Sequence, residues 1–182
     1  MLIRVADLQL KKLEFQQDFQ PGAIEYGLDF HQVGPLHTEG RAEVIVEHRG
    51  HKENVDDVRV VAKLDVTMEV GCARCLEPVQ FGVNRAFDLL YRPLGVDKRA
   101  EEVAISEADT EIGYYEGDGL LLEDVLREQV LLASPVKQVC REDCKGLCPQ
   151  CGANLNTAMC NCQHPGDPRW AALSELKNKL QS

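Results

Sequence analysis

The chain has 182 residues, of which 44% are hydrophobic and 27% charged, and it carries a net charge of -10. That length buries one full core and little more, and the charged fraction suits neither a membrane-embedded nor a disordered chain. A nucleic-acid binder commonly shows a basic block that neutralises phosphates, and no such block is visible.

At the N-terminus, MLIRVADLQLKKLEF interrupts its apolar residues with Arg4, Asp7 and Lys11, unlike the continuous apolar core of a secretory signal. No run approaches the roughly 20 apolar residues of a bilayer helix. The cytoplasm is therefore the expected compartment and no membrane the expected partner. Short strand-like pieces stand at residues 3–5 and 13–15, followed by a Gly- and Pro-dotted region with no readable period.

Residues 42–48 (AEVIVEH) alternate, and the polar HRGHKENVDD stretch turns the chain. In residues 58–70 (VRVVAKLDVTMEV), Val58, Val60, Ala62, Leu64, Val66, Met68 and Val70 alternate with mostly polar residues, the period-two pattern of a strand with one buried face. Val79, Phe81, Val83, Phe87, Leu89 and Tyr91 repeat it, with Arg85 breaking the set. GCARCLEP lies between these strands, so a long hairpin is expected with a CxxC near its tip.

From Asp97 to Glu128 there are eleven acidic residues against Lys98, Arg99 and Arg127. Such a stretch is either a solvated loop or a surface for a basic protein. The pattern then changes to helical: Leu121, Leu122, Val125, Leu126, Gln129 and Leu132 recur at three- and four-residue steps, with Asp118 or Gly119 as cap and Pro135 as stop. A terminal amphipathic helix is expected from Asp167 and Pro168 through Trp170, Leu173, Leu176 and Leu180.

Six of the eight cysteines lie between Cys140 and Cys162. A reducing compartment disfavours disulfides, which leaves metal binding or redox chemistry. Cys148, Pro149, Gln150, Cys151 and Gly152 form a knuckle that aims two sulfurs at one point, and Cys160 with Cys162 complete a tetrahedral thiolate set for structural zinc. Cys72, Cys75, Cys140 and Cys144 make a second candidate site that staples the tail to the sheet. His164 is an alternative fourth ligand for the tail site.

Two redox or cluster readings compete. Cys72 and Cys75 are a candidate dithiol oxidoreductase centre, although a strand turn lacks the helix N-terminus that lowers a reactive thiol's pKa. Cys144, Cys148 and Cys151 spell CxxxCxxC, an iron–sulfur spacing, but only about thirty residues follow it, too few for a radical-enzyme barrel. Lys137, Arg141 and Lys145 flank the thiols and are expected to offset their charge. The residues carry no Ser-His-Asp order, phosphate loop or dinucleotide motif, so neither catalysis nor a small-molecule substrate is expected.

The sum is an α+β fold: a mainly antiparallel, barrel-like β meander with a packed helix and a Cys-rich zinc-binding C-terminal segment. Its expected parts are a β-rich domain, 1–135, with the acidic loop and helix, and a zinc-binding segment, 136–182.

The stretch EDVLREQVLLASPVKQVCREDCKGLCPQCGANLNTAMCNC, followed by DPRWAALSELK and preceded by CARCLEP, resembles the YceD family of large ribosomal RNA subunit accumulation proteins, over roughly residues 42–180. Ser134 and Gln138 stand where that family commonly has an apolar residue and a proline. The resemblance implies a non-enzymatic ribosome-biogenesis factor that supports accumulation of large-subunit (23S) ribosomal RNA. Its expected partner is a large-subunit precursor, met through a ribosomal protein, a processing factor or the RNA itself. Either the acidic stretch holds a basic protein, or the hairpin cations Arg59, Lys63, Arg74 and Arg85 touch RNA. A zinc-ribbon adaptor unrelated to ribosomes is the competing class.

Overall fold

The structure, a computed structural model, describes residues 1–49, 53–96 and 112–162. In chain order the elements are β1 (Leu2–Arg4), α1 (Val5–Leu10), β2 (Leu13–Phe19), β3 (Phe30–Arg49), β4 (Glu53–Gly71), β5 (Pro78–Pro93), β6 (Ile112–Tyr115), β7 (Gly119–Leu121) and α2 (Leu122–Ala133). The terminal amphipathic helix expected from Asp167, His164 and residues 97–111 of the acidic stretch lie outside the described residues.

The alternating run in residues 58–70 lies within β4, and Val58, Val60, Ala62, Leu64, Val66 and Met68 are all buried on one face. Because side chains alternate across a strand, that face must meet other apolar surface, and β5 supplies Val83, Phe87 and Tyr91 beside it. The two strands pair antiparallel from Val58↔Tyr91 to Gly71↔Pro78, so the hairpin expected around GCARCLEP is present.

β3 is much longer than the seven-residue strand expected. It pairs with β4 from Phe30↔Val70 to Arg49↔Glu53, with a break in register between Val33 and His37. Gly34, at φ 81°, and Pro35, which has no N–H to give a ladder, occupy this bulge. The break disrupts the period, and Thr38 and Gly40 occupy positions in the inward-facing series, so sequence alternation alone misses this half of the strand.

The five-stranded sheet runs in the order β2-β3-β4-β5-β6, and the expectation of a barrel-like meander needs two corrections. It is open, with β2 and β6 as its edges, and the β5–β6 pair is parallel, from Leu90↔Ile112 to Pro93↔Tyr115. A parallel pair cannot be joined by a tight hairpin turn, and residues 94–111 separate these two strands in the chain. Side chains from α1, α2 and the β1–β7 ribbon join the same apolar core, covering the sheet without closing it on itself.

α2 begins later than its apolar steps suggest, because residues 119–121 pair with β1 as β7. Neither Asp118 nor Gly119 caps it. Leu121 is the N-cap and makes no side-chain cap bond. The Leu122 N–H instead donates to the Met1 carbonyl at 3.0 Å, and the Met1 ammonium pairs with the Glu123 carboxylate. Leu122, Val125, Leu126, Gln129 and Val130 face the core, whereas Leu121 and Leu132 point to solvent. The helix ends at Ala133, just before Pro135.

Candidate metal centres

All eight cysteines fall into two quartets. In each quartet, Cys72, Cys75, Cys140 and Cys144 or Cys148, Cys151, Cys160 and Cys162, the sulfurs lie within 4.8 Å of one another. The first quartet joins the β4–β5 tip to the segment after α2. Cys72, Cys75 and Cys144 are buried there, against Val79, Val139 and Leu147. The second sits nearer the surface, with Cys148 buried and Cys151 exposed.

The distances suit a tetrahedral ion. Four thiolates about 2.3 Å from a shared centre stand about 3.8 Å apart. Cys72 Sγ lies 3.9 Å from Cys144 Sγ, and Cys75 Sγ lies 3.6 Å from Cys140 Sγ. The first quartet thus has the spacing of a tetrahedral thiolate site, and the second gathers its four sulfurs within the same 4.8 Å, so both could hold a metal ion. The CxxxCxxC spacing does not gather as one set: Cys144 belongs to the first quartet, Cys148 and Cys151 to the second.

The two CxxC turns repeat the same backbone plan. The N–H of Leu76 donates to the Cys72 carbonyl and that of Gly152 to the Cys148 carbonyl, each at 2.9 Å. The first cysteine's N–H then donates to the carbonyl five residues on, Cys72 to Glu77 and Cys148 to Ala153, each at 2.8 Å. The residue after the second cysteine is left-handed in both, Leu76 at φ 63° and Gly152 at φ 72°. Glycine is the ordinary choice there, since a Cβ crowds the following carbonyl.

These turns aim amide hydrogens at sulfur. Burial alone raises the Cys72 thiol, but the N–H groups of Cys75, Arg74 and Cys140 outweigh it and bring the thiol down to about 6. The N–H groups of Cys151 and Gln150 bring Cys148 down to about 6 as well. Burial and the neighbouring thiols of Cys144, Cys75 and Cys72 push Cys140 up to about 12. Cys162 is pushed up to about 12 by its contact with Cys151 and by burial. Four thiolates this close repel one another unless a cation sits among them, so each set is chemically matched to a divalent metal.

One side chain that sequence spacing does not single out ties the quartets together. Asn156, in the loop between Cys151 and Cys160, donates through Nδ2 to Cys144 Sγ at 3.3 Å. Its Oδ1 accepts from the Lys145 N–H at 2.8 Å and the Arg141 guanidinium at 2.9 Å. The signal for it was the ANLNTAM loop itself, whose asparagines suit backbone-binding turns. Arg141 is thus bound to this loop and to Asp143. A further cation on the quartet is Arg74, whose guanidinium donates to the carbonyls of Glu142 and Cys144, each at 2.9 Å.

Two of the hairpin cations, Arg59 and Lys63, are engaged elsewhere. Arg59 makes a two-pronged contact with the Asp88 carboxylate, and Lys63 reaches Glu39 at 2.7 Å, both across the polar sheet face.

Residues 60–177 match a family model described as large ribosomal RNA subunit accumulation protein YceD. An uncharacterized protein of Mycobacterium tuberculosis is 38% identical over 107 residues, covering 58% of this chain and 48% of that protein. One from Mycobacterium leprae is 25% identical over 166 residues, covering 86% and 72%. A Zea mays protein named large ribosomal RNA subunit accumulation protein YCED homolog 1, chloroplastic, is 29% identical over 174 residues, covering 80% and 57%. The chain thus spans about half the length of the Mycobacterium tuberculosis protein it matches. No solved structure matches it.

Proposed function

The chain belongs to the YceD family of large ribosomal RNA subunit accumulation proteins, and from that premise we propose that it is a non-enzymatic, cytoplasmic ribosome-biogenesis factor. In this reading it supports accumulation of large-subunit (23S) ribosomal RNA by binding a ribosomal precursor. The observation that carries it is the family match over residues 60–177, which takes in most of the β4–β5 hairpin and all eight cysteines. The plant relative's name supports the ribosomal role.

Both quartets hold zinc in this reading, with Cys72, Cys75, Cys140 and Cys144 on one ion and Cys148, Cys151, Cys160 and Cys162 on the other. Four thiolates fill a tetrahedral ion's positions and leave none for substrate, so the metal stabilises the fold and performs no reaction. The same arrangement weighs against a dithiol oxidoreductase, because Cys72 and Cys75 are packed against two further thiols.

The precursor is met through protein more than through naked RNA. Arg59 and Lys63 have carboxylate partners, and Arg74 is folded onto backbone carbonyls. Phosphate binding would have to break these contacts before releasing any counterions from the RNA. A basic ribosomal protein or processing factor suits the acidic chain better.

The test is a low-salt pull-down of the tagged chain from its own cells, with and without ribonuclease. Large-subunit precursor RNA together with ribosomal proteins is expected, and the proteins should persist after ribonuclease. Loss of every protein after ribonuclease would overturn the protein route, and recovery of neither class would overturn the ribosomal reading.

A further inference from the structure

Between α2 and the edge strand β6 runs a groove of about 920 Å³, with Tyr91, Leu120 and Val125 among its lining residues. Large apolar side chains along it stand in solvent: Leu2, Tyr114, Leu121 and Leu132 are each between 42% and 63% exposed. A cluster of this kind on a soluble surface marks a contact site more often than chance exposure.

The groove's charges say what fits. Among the described residues, Glu116, Asp118, Asp124 and Glu128 line it against one cation, Arg127. Arg127 is itself joined to Asp124 at 3.1 Å. A second copy of this chain would bring these carboxylates against one another, and an RNA backbone would meet like charge over an apolar floor.

We infer that this groove takes a basic amphipathic helical segment of a partner protein, its apolar side chains at helical spacing on the groove floor and its lysines or arginines against the acidic rim. This rests on the reading that the partner is a basic protein, and it assigns that partner a place on the molecule.

The probe is a labelled synthetic peptide of about 14 residues, roughly four helical turns, with leucines on one face and lysines elsewhere. Its binding to the full chain is followed by fluorescence anisotropy, beside a peptide with glutamates in place of the lysines and one of scrambled order. The lysine peptide should bind, more weakly as salt rises, and the other two should not. Because Leu131 and Leu132 point outward, Leu131→Ser/Leu132→Ser should leave the fold intact while weakening binding by about tenfold or more. Asp124→Asn/Glu128→Gln should also weaken it and flatten its salt dependence.

Equal binding of the glutamate or scrambled peptide, or native-like binding by the leucine variant, would overturn the proposal. So would dimerisation abolished by Leu131→Ser/Leu132→Ser, which makes a second copy the occupant. Binding seen only after Leu173→Ser/Leu176→Ser, in the region outside the described residues, would make the chain's own tail the occupant. The pull-down separates this claim from the wider one. Peptide binding without any ribosomal material supports the groove and sinks the ribosomal reading; ribosomal proteins retained undiminished by the leucine variant do the reverse.

Discussion

Leu76 and Gly152 occupy equivalent places in two equivalent turns, yet only one of them is a glycine. The left-handed conformation costs a non-glycine residue about 1–2 kcal/mol, of which glycine's greater freedom when unfolded gives back about 0.5–1. Leu76→Gly is therefore expected to stabilise the metal-loaded chain by up to about 1 kcal/mol, a rise of a few degrees in Tm. Thermal unfolding measures it, and a lower Tm would show that the exposed Leu76 side chain contributes more than its backbone costs. Asn156 acts on the ligands without being one. Removing its bond to Cys144 Sγ in Asn156→Ala should lower metal affinity at the first quartet by about 10–100-fold, the usual effect of losing a partner to a ligand. Competition with a metal-binding dye would read this, in a Cys148→Ser background where only the first quartet keeps four thiols.

Where β3, β4 and β5 converge away from the cysteines, Arg92 donates to Asp57 at 3.2 and 2.9 Å, and its guanidinium also reaches Glu47. Arg92 and Asp57 are almost fully buried. Arg92→Met leaves the Asp57 carboxylate buried without this partner, and urea unfolding should show a loss of about 3–5 kcal/mol. Arg92→Met/Asp57→Leu should recover most of it, since two apolar groups replace the buried pair and the Glu47 carboxylate that loses Arg92 is 42% exposed to water; no recovery would mean that the pair stabilises the strands in its own right. Gly40 matters between β3 and β4, because a Cβ there would stand 2.4 Å from the Ala62 Cβ and 2.5 Å from the Val61 carbonyl oxygen. Gly40→Ala should cost about 1–3 kcal/mol through forced strand separation. A cost near zero in the same assay would show that the hairpin flexes to accept the methyl group.

The molecule has two sources of cohesion. The apolar core fills the space between the sheet, the β1–β7 ribbon, α1 and α2, while the first quartet joins the hairpin tip to the segment after α2. Metal analysis should find two zinc ions per chain, and Cys72→Ser or Cys148→Ser should each remove one. Chelation should strip hydrogen-exchange protection from residues 71–78 and 134–162 and leave most of that in β3, β4 and β5, because the larger core contains no cysteine. Global loss of protection would make the metal sites a condition of folding for the whole chain.

Local patterns determined much of this protein in advance. Period-two burial in β4 and β5 and the CxxC turns are legible because side-chain alternation and tight-turn geometry depend on residues a few positions apart. The first half of β3 was hidden by its bulge, and β6 and β7 are too short to show a period. Tertiary structure decided that Cys72 and Cys75 face Cys140 and Cys144, that β6 runs parallel to β5, and that Arg59 and Lys63, which look available in sequence, have carboxylate partners. Those outcomes depend on distances between residues far apart in the chain, which spacing along the backbone does not set; they follow only once the buried face of the sheet has found its cover.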